Sequence, residues 1–144
     1  MNRLTQSTKA IREKQIERGW HLVDASGKVL GRLTPQIVKL VQGKHKTIYV
    51  SNMDIGDNVV VINASKVTVS GKKALFKEYT NYSGYPGGLR KINFSDLLKK
   101  DSREIIKRAV SGMLPKNKFR SDRLNRVHVF PNSEHSFKDK FIKK

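Results

Sequence analysis

The stretch DNVVVIN, residues 57–63, decides the fold of this chain. Its centre, VVVI at residues 59–62, is the longest strictly apolar run in the sequence, and all of its residues are β-branched. A short β-branched run without polar interruptions indicates a strand that is buried on both faces, as the central strands of parallel sheets are. We therefore expect residues 57–63 to form the central strand of a mainly parallel sheet.

A second strand and a helix precede this stretch. WHLVD at residues 20–24 predicts a strand. Between residues 30 and 41 the apolar residues follow helical spacing, with Thr34 as the natural cap before Pro35 and Gly43 at the end. Strand, helix and strand form a βαβ unit, for which a right-handed crossover is expected.

The second half of the chain alternates between shorter elements. We predict a short strand at residues 67–69 and a loop or turn at GYPGG, residues 84–88. A short helix capped by Ser95 and a second helix that begins at Asp101 or Ser102 should follow. One or two helical turns at residues 119–124 and a last strand at residues 127–130 complete the prediction. Strands that alternate with helices indicate an α/β layered domain. We expect this single domain at residues 16–131, between a basic N-terminal arm at residues 1–15 and a basic C-terminal tail at residues 132–144.

Charge gives the first indication of a partner. The 144 residues include 30 Lys and Arg against 12 Asp and Glu, so the formal net charge is +18. Residues 47–71, which contain the apolar run, carry a net charge of −1, whereas residues 1–46, 72–112 and 113–144 carry +7, +6 and +6. Such an excess favours a polyanionic partner, most commonly nucleic acid. A solvated lysine-rich surface, or a heparin-like or membrane partner, is the alternative.

Several other classes of protein do not fit the sequence. There is no cysteine, which excludes disulfides, thiolate zinc sites and cysteine nucleophiles. The apolar run is too short to span a membrane. The histidines His21, His45, His128 and His135 show no metal-ligand spacing. SEH at residues 133–135 contains the residue types of a catalytic triad, but neighbours in sequence do not form one, because the three groups must converge in space. We therefore predict no catalytic residue, metal site, cofactor or small-molecule substrate.

Two basic segments favour RNA. GYPGG at residues 84–88, with Tyr82 nearby and Arg90 and Lys91 following, combines a glycine turn with aromatic rings and cations. This combination suits irregular RNA, whose bases stack on aromatic side chains; the alternative is a hairpin turn with tyrosines packed beneath it. A second group follows Pro115 and comprises Lys116, Lys118, Arg120, Arg123 and Arg126. Its alternative is a solvated helix face.

The order of motifs resembles the L-thirteen family of large-subunit ribosomal proteins. The matching motifs are WHLVDASGKVLGRL at residues 20–33, GKHK at 43–46, DIGD at 54–57, VINA at 61–64, SGKK at 70–73, YPGG at 85–88 and VSGMLP at 110–115. The resemblance covers about residues 16–137. NKFRSDR at residues 117–123 departs from it, since the family usually has a Gly-Pro-Leu-Gly-Arg type of sequence there.

The resemblance implies a three-layer α/β/α domain with a four-stranded, mainly parallel sheet, in which the helix after residue 28 begins slightly before Thr34. It also implies a structural, non-catalytic component of the large ribosomal subunit that binds large-subunit ribosomal RNA, contacts neighbouring ribosomal proteins and supports early assembly. The implied location is the ribosome, taken as cytoplasmic, with an organellar ribosome left open. A small nucleic-acid-processing enzyme and an RNA-binding regulator outside the ribosome are the alternative functions.

Family positions and charge clusters together predict the RNA contacts. They are Lys44, His45, Lys46, Lys72, Lys73, Tyr85, Gly87, Gly88, Arg90, Lys116, Lys118, Arg120 and Arg123.

Overall fold

A parallel sheet forms the centre of the molecule in the computed structural model, which describes residues 12–141. Its strands are β1 (Trp20–Asp24), β2 (Asn58–Ile62) and β5 (Val127–Val129), in the order β1-β2-β5. The middle residues of β2 are completely buried. The prediction of a parallel central strand is therefore confirmed, and so is the α/β class.

The expected fourth strand does not form within the described part of the chain. Residues 67–69 contribute only one parallel bridge, between Thr68 and Val29. The bridge cannot lengthen because helix α1 (Leu30–Gln42) begins directly after Val29. The backbone N–H of Leu30 donates to the Thr68 carbonyl at 2.8 Å, which joins the start of α1 to this segment. The sheet therefore has three strands, not four.

Helix α1 begins where the family resemblance places it and not at Thr34. Its N-cap is Val29, and Thr34 lies inside the helix, where its hydroxyl donates to the Leu30 carbonyl at 2.7 Å. Pro35 therefore lies in the second turn and not in the first, and because Gly31 is exposed, the carbonyl that loses its N–H partner can face solvent. The helix ends as predicted at Gly43, whose φ of 78° is the left-handed conformation that favours glycine.

A separate antiparallel hairpin follows the short helix α2 (Lys73–Phe76). It consists of β3 (Glu78–Tyr82) and β4 (Leu89–Asn93), which are joined by the predicted turn at residues 84–88. Tyr79 and Ile92 are paired across the hairpin and pack against the core. The open end of the hairpin is thus packed on the main body, and the turn at residues 84–88 projects away from it.

Helix α3 (Phe94–Met113) is broken at Asp101, as predicted. The backbone of Asp101 is extended there, and its carboxylate accepts the Arg103 N–H at 3.0 Å, which is an N-cap contact for the second half. The cap expected at Ser95 is absent, because the Ser95 hydroxyl donates to the Ala74 carbonyl in α2. Helix α4 (Arg120–Asn125) then leads directly into β5.

The two faces of the sheet are covered differently. Val59 and Val61 belong to a core that also contains buried residues of α1 and α3, such as Ile37 and Ile106. Val60 points to the opposite face, in register with Leu22 and His128.

On that opposite face the Trp20 and His128 rings stack, with centroids 5.7 Å apart, and Phe137 packs on both. The predicted three-layer α/β/α fold has a layer of helices on each face of the sheet. On this face, aromatic residues of the C-terminal segment lie in that position instead. The domain boundaries remain predictions, and residues 1–11 of the expected arm and residues 142–144 of the tail lie outside the described residues.

Candidate nucleic-acid interface

The tip of the β3–β4 hairpin exposes two tyrosines. The side chains of Tyr82 and Tyr85 are 63% and 75% exposed, so the alternative of rings packed beneath the turn holds only for Tyr79. Gly87 has a φ of 74°, and a side chain on Gly88 would lie 2.0 Å from the Ser83 hydroxyl oxygen. The turn therefore favours glycine at position 87, whereas a side chain at position 88 would require the Ser83 side chain to move.

A groove separates the hairpin from α3. Its volume is about 280 Å³, and most of its charged lining is basic: Arg90, Lys91, Lys100 and Arg108, against Glu104. The Arg108 guanidinium lies 5.5 Å from the centre of the Tyr79 ring. Burial raises the pKa of Tyr79 above its usual value, although Arg108 acts in the opposite direction, so its hydroxyl stays protonated at neutral pH. Lys91 pairs with Glu78 and Arg108 with Glu104, so Arg90 and Lys100 are the lining cations without a carboxylate partner among the described residues.

Lys72 and Lys73 lie at the base of the hairpin. Both side chains are exposed, and Lys73 lines a cleft together with Leu30 and Thr34 at the start of α1. We call Lys72, Lys73, Tyr82, Tyr85 and Arg90 the hairpin region.

A second set of exposed cations lies at the other end of α1. Lys44 follows the C-cap Gly43 directly, and Lys118 lines a cleft with Asp54. Asp54 in turn binds Arg126, which reaches the Val41 carbonyl near the end of α1. Lys116 is also exposed, but it lies only three residues after Met113, which lines the cleft with Lys73 and Leu30, so we do not assign it to this end of α1. We call Lys44 and Lys118 the loop region. A helix of 13 residues is about 20 Å long, so the two regions lie roughly that far apart.

Arg123 was predicted as an RNA contact, but its side chain is only 3% exposed and binds inside the protein. Its Nε lies 3.2 Å from Asp54 Oδ1, and Arg126 binds the same carboxylate through both terminal nitrogens at 2.5 and 2.6 Å. Burial alone would raise the pKa of Asp54, but the two guanidinium groups hold it below its usual value. Asp54 thus joins α4 and β5 to the loop before β2.

His45 and Lys46 are also engaged inside the protein. Asp57, which is buried, accepts hydrogen bonds from Lys46 and from the Gly19 N–H, and it lies 2.9 Å from His45 Nε2 and 2.8 Å from His21 Nε2. Burial opposes ionisation of Asp57, yet these partners, Lys46 first, lower its pKa below the usual value. We call Gly19, His21, His45, Lys46 and Asp57 the Asp57 cluster.

The sequence contained no signal for the Asp57 cluster. His21 and Asp57 are 36 residues apart, and only the parallel pairing of β1 with β2 brings them together. In the DIGD motif, the last residue, Asp57, binds Lys46, which lies 11 residues before it, and the first, Asp54, binds Arg126, which lies 72 residues after it.

Arg120 has an intermediate position. Its guanidinium donates to the Ser111 carbonyl and hydroxyl at 2.8 Å, which fixes α4 to α3, and the side chain is half-buried. Apart from Lys116, the predicted contact residues are therefore divided among the hairpin region, the loop region and internal ion pairs or hydrogen bonds.

No helix in residues 12–141 is long and apolar enough to cross a membrane.

His135 is engaged within the C-terminal segment. Its ring packs near Phe141, with centroids 5.7 Å apart, and its Nδ1 accepts the Phe137 N–H at 3.3 Å. The geometry thus defines a basic α/β protein with exposed cations near both ends of α1 and further exposed cations, such as Arg32 and Lys39, along α1 itself.

Comparison with known proteins identifies the family. The model of the family described as Ribosomal protein L13 matches residues 18–136. The chain is 45% identical to large ribosomal subunit protein uL13 of Syntrophotalea carbinolica, over 90% of this chain and 91% of that protein. It is 49% identical to the protein of that name from Clostridioides difficile, over 84% and 85% of the two chains, and 46% identical to that from Thermotoga maritima, over 90% and 87%.

The chain therefore belongs to the ribosomal protein L13 family, and the family predicted from its motifs is confirmed. It is a structural ribosomal protein and not an enzyme.

Proposed function

We propose that this protein is a structural constituent of the large ribosomal subunit in the cytoplasm, where it binds large-subunit ribosomal RNA and supports early assembly. The observation that carries the proposal is the placement of exposed cations in two regions at opposite ends of α1. The names of the relatives, each a large ribosomal subunit protein, support the same function.

The two regions can bind two segments of RNA at once. Lysine and arginine side chains neutralise phosphates without reading sequence, and the rigid α/β core holds both sets at a constant separation. Repulsion between the two RNA segments is thereby reduced, which stabilises a junction between them. The internally paired Lys46 and Arg123 contribute to this rigidity, and we do not include them among the RNA contacts.

Neighbouring ribosomal proteins are the second class of partner that we propose. Leu75 and Phe76 on α2 are largely exposed, although both are apolar, and they adjoin the basic hairpin region. A surface of this kind suits contact with a protein that is itself bound to the RNA.

The proposal is tested by the salt dependence of binding. The purified protein is titrated with fragments of large-subunit ribosomal RNA at several salt concentrations. Log affinity should fall against log salt with a slope of about 0.7–0.9 per phosphate contacted. A nearly flat dependence would contradict the electrostatic mechanism.

Two further measurements separate the alternative functions. The native protein should sediment with large subunits after a high-salt wash, whereas a regulator that acts outside the ribosome would remain in the free protein fraction. RNA incubated with the protein, with and without divalent metal, should stay intact and unmodified, because turnover would indicate a nucleic-acid-processing enzyme.

A further inference from the structure

The carboxylate of Asp57 has two differently occupied oxygens. Oδ1 accepts the Gly19 N–H at 2.9 Å and a hydrogen bond from Lys46. Oδ2 lies 2.8 Å from His21 Nε2 and 2.9 Å from His45 Nε2. Both imidazoles therefore direct the same ring nitrogen at one carboxylate oxygen.

These three atoms form a compact set of donors. Within the described residues, the two Nε2 atoms and the carboxylate oxygen all lie within 4.8 Å of one another. Two imidazole nitrogens and one carboxylate oxygen are the donor set of zinc sites that keep a fourth position for water. Zinc bonds to such atoms are about 2.0–2.2 Å long, so tetrahedral ligand atoms lie about 3.3 Å apart. Each histidine nitrogen would have to move outward from Oδ2 by about 0.5 Å, and the two nitrogens, which lie within 4.8 Å of each other, would have to settle at the same spacing through rotation of the partly exposed imidazoles.

The surroundings hold the carboxylate ready for this role. The side chain of Asp57 is 3% exposed, and its contacts with Gly19 and Lys46 fix the orientation of the carboxylate, as outer hydrogen bonds do for metal ligands. The His21 and His45 side chains are 35% and 26% exposed, so an ion can reach them from solvent. The ammonium group of Lys46 repels a cation and will keep the affinity moderate.

We propose that His21, His45 and Asp57 bind one divalent transition-metal ion, with zinc preferred, through the two Nε2 atoms and Oδ2. The ion replaces both contacts between imidazole and carboxylate. Each neutral imidazole then carries its proton on Nδ1, and any imidazolium loses one proton to solvent. Magnesium and calcium prefer oxygen ligands and should not compete. The site adjoins the loop region, because Lys44 directly precedes His45, but the proposed metal binding does not depend on the proposed function.

The test uses the full-length protein without a histidine tag. Zn²⁺ is titrated in competition with a chromophoric indicator, and Co²⁺ absorption reports the coordination geometry. We expect one ion per chain with a micromolar dissociation constant, and His21→Gln and His45→Gln should each weaken binding about tenfold or more. His135→Gln is the matched control, since this histidine lies in the C-terminal segment. The affinity of this variant for zinc should equal that of the unmodified protein.

Glutamine is chosen because its side-chain amide can still donate to Asp57 and preserve the fold, which circular dichroism of the metal-free variants verifies. Thermal unfolding gives a second measurement, because zinc should raise the melting temperature of the unmodified protein and of His135→Gln but not of His21→Gln. The proposal fails if zinc at about a hundred times the expected dissociation constant neither binds nor changes the melting temperature. It also fails if His21→Gln and His135→Gln bind zinc equally well.

Discussion

At the residue scale, Gly56 shows how closely the loop before β2 crosses the end of α1. A Cβ atom at Gly56 would lie 1.6 Å from the Val41 carbonyl oxygen and 2.5 Å from its carbon. The obstacle is backbone at the end of a helix, and the neighbouring Asp57 N–H donates to the Leu40 carbonyl. Glycine is therefore needed here for close approach, and that approach places Asp54 and Asp57 beside their cationic partners.

We expect Gly56→Ala to lower the free energy of unfolding by about 3 kcal/mol, the upper end of the usual cost of overpacking, because the backbone cannot move aside freely. Urea denaturation measures the change. Gly31→Ala is the matched control, since a Cβ at that exposed position of α1 meets nothing within 4 Å, and alanine there should be neutral or stabilising. Equal effects of the two substitutions would show that the close approach is not tight in solution.

The residue scale is also where sequence reasoning was least complete. Lys46, His45 and Arg123 looked like free cations, because a charge run shows only that cations are present. Whether a buried carboxylate faces them depends on contacts across 11, 12 and 69 residues of sequence. Lys44, Lys72, Lys73 and Lys118 are exposed, but their contact with RNA stays a prediction.

At the element scale, periodicity identified those elements whose burial is regular. Strand β2 is apolar throughout and α1 has an apolar stripe, so both were located from spacing, with an error only in where α1 begins. The strands of the hairpin were missed because β3 and β4 are mostly exposed and carry no alternation of apolar and polar residues. The strand predicted at residues 67–69 is absent. The β-branched residues there favour a strand, but they cannot show that the pairing segment at Val29 continues as helix α1.

The exposed hairpin tip gives a prediction that separates stacking from charge. The double variant Tyr82→Ala with Tyr85→Ala should bind ribosomal RNA fragments at least about thirtyfold less tightly, since each ring that stacks on a base contributes about 1–3 kcal/mol. The slope of log affinity against log salt should stay unchanged, because no cation is removed. Filter binding or fluorescence anisotropy at several salt concentrations measures both quantities.

Tyr49→Ala is the control for this experiment, because Tyr49 is an exposed tyrosine in the loop between α1 and β2. Its affinity should match that of the unmodified protein. If Tyr49→Ala weakens RNA binding as much as the double variant does, stacking on the hairpin tyrosines does not account for the loss.

At the scale of the whole molecule, the net charge of +18 matters less than its distribution. Asp54 and Asp57 bind Arg123, Arg126 and Lys46 internally, which joins α4, β5 and the loop after α1 to the start of β2. Among the cations that remain exposed, some lie in the hairpin and loop regions and others, such as Arg32 and Lys39, lie along α1. The sequence alone predicted the excess of charge and the family, but it could not predict which cations are paired internally and which are exposed.

Charge reversal tests the separation of the hairpin and loop regions. Lys72→Glu with Lys73→Glu and, separately, Lys44→Glu with Lys118→Glu should each lower the salt slope by about 1.4–1.8, the value for two lost phosphate contacts. The losses in binding free energy should add when the pairs are combined, because sites about 20 Å apart do not share partners.

Lys138→Glu with Lys140→Glu changes the net charge by the same amount at the opposite face of the sheet, where we predict no RNA contact. Affinity for the RNA should fall much less in this variant. A loss as large as that of the other pairs would mean that total charge, and not its placement, determines binding.

The pairing of β2 with β5 has a consequence for biosynthesis. Val59 pairs with Val127, so one side of the middle strand has no neighbour until β5 has been translated. Phe137, which covers Trp20 and His128, emerges later still. Pairings between such distant segments form slowly, and an unpaired strand edge can associate with other chains. The nascent protein should therefore leave one edge of β2 open while residues 63–126 are being translated, and it can complete its sheet only after β5 has left the ribosome that makes it.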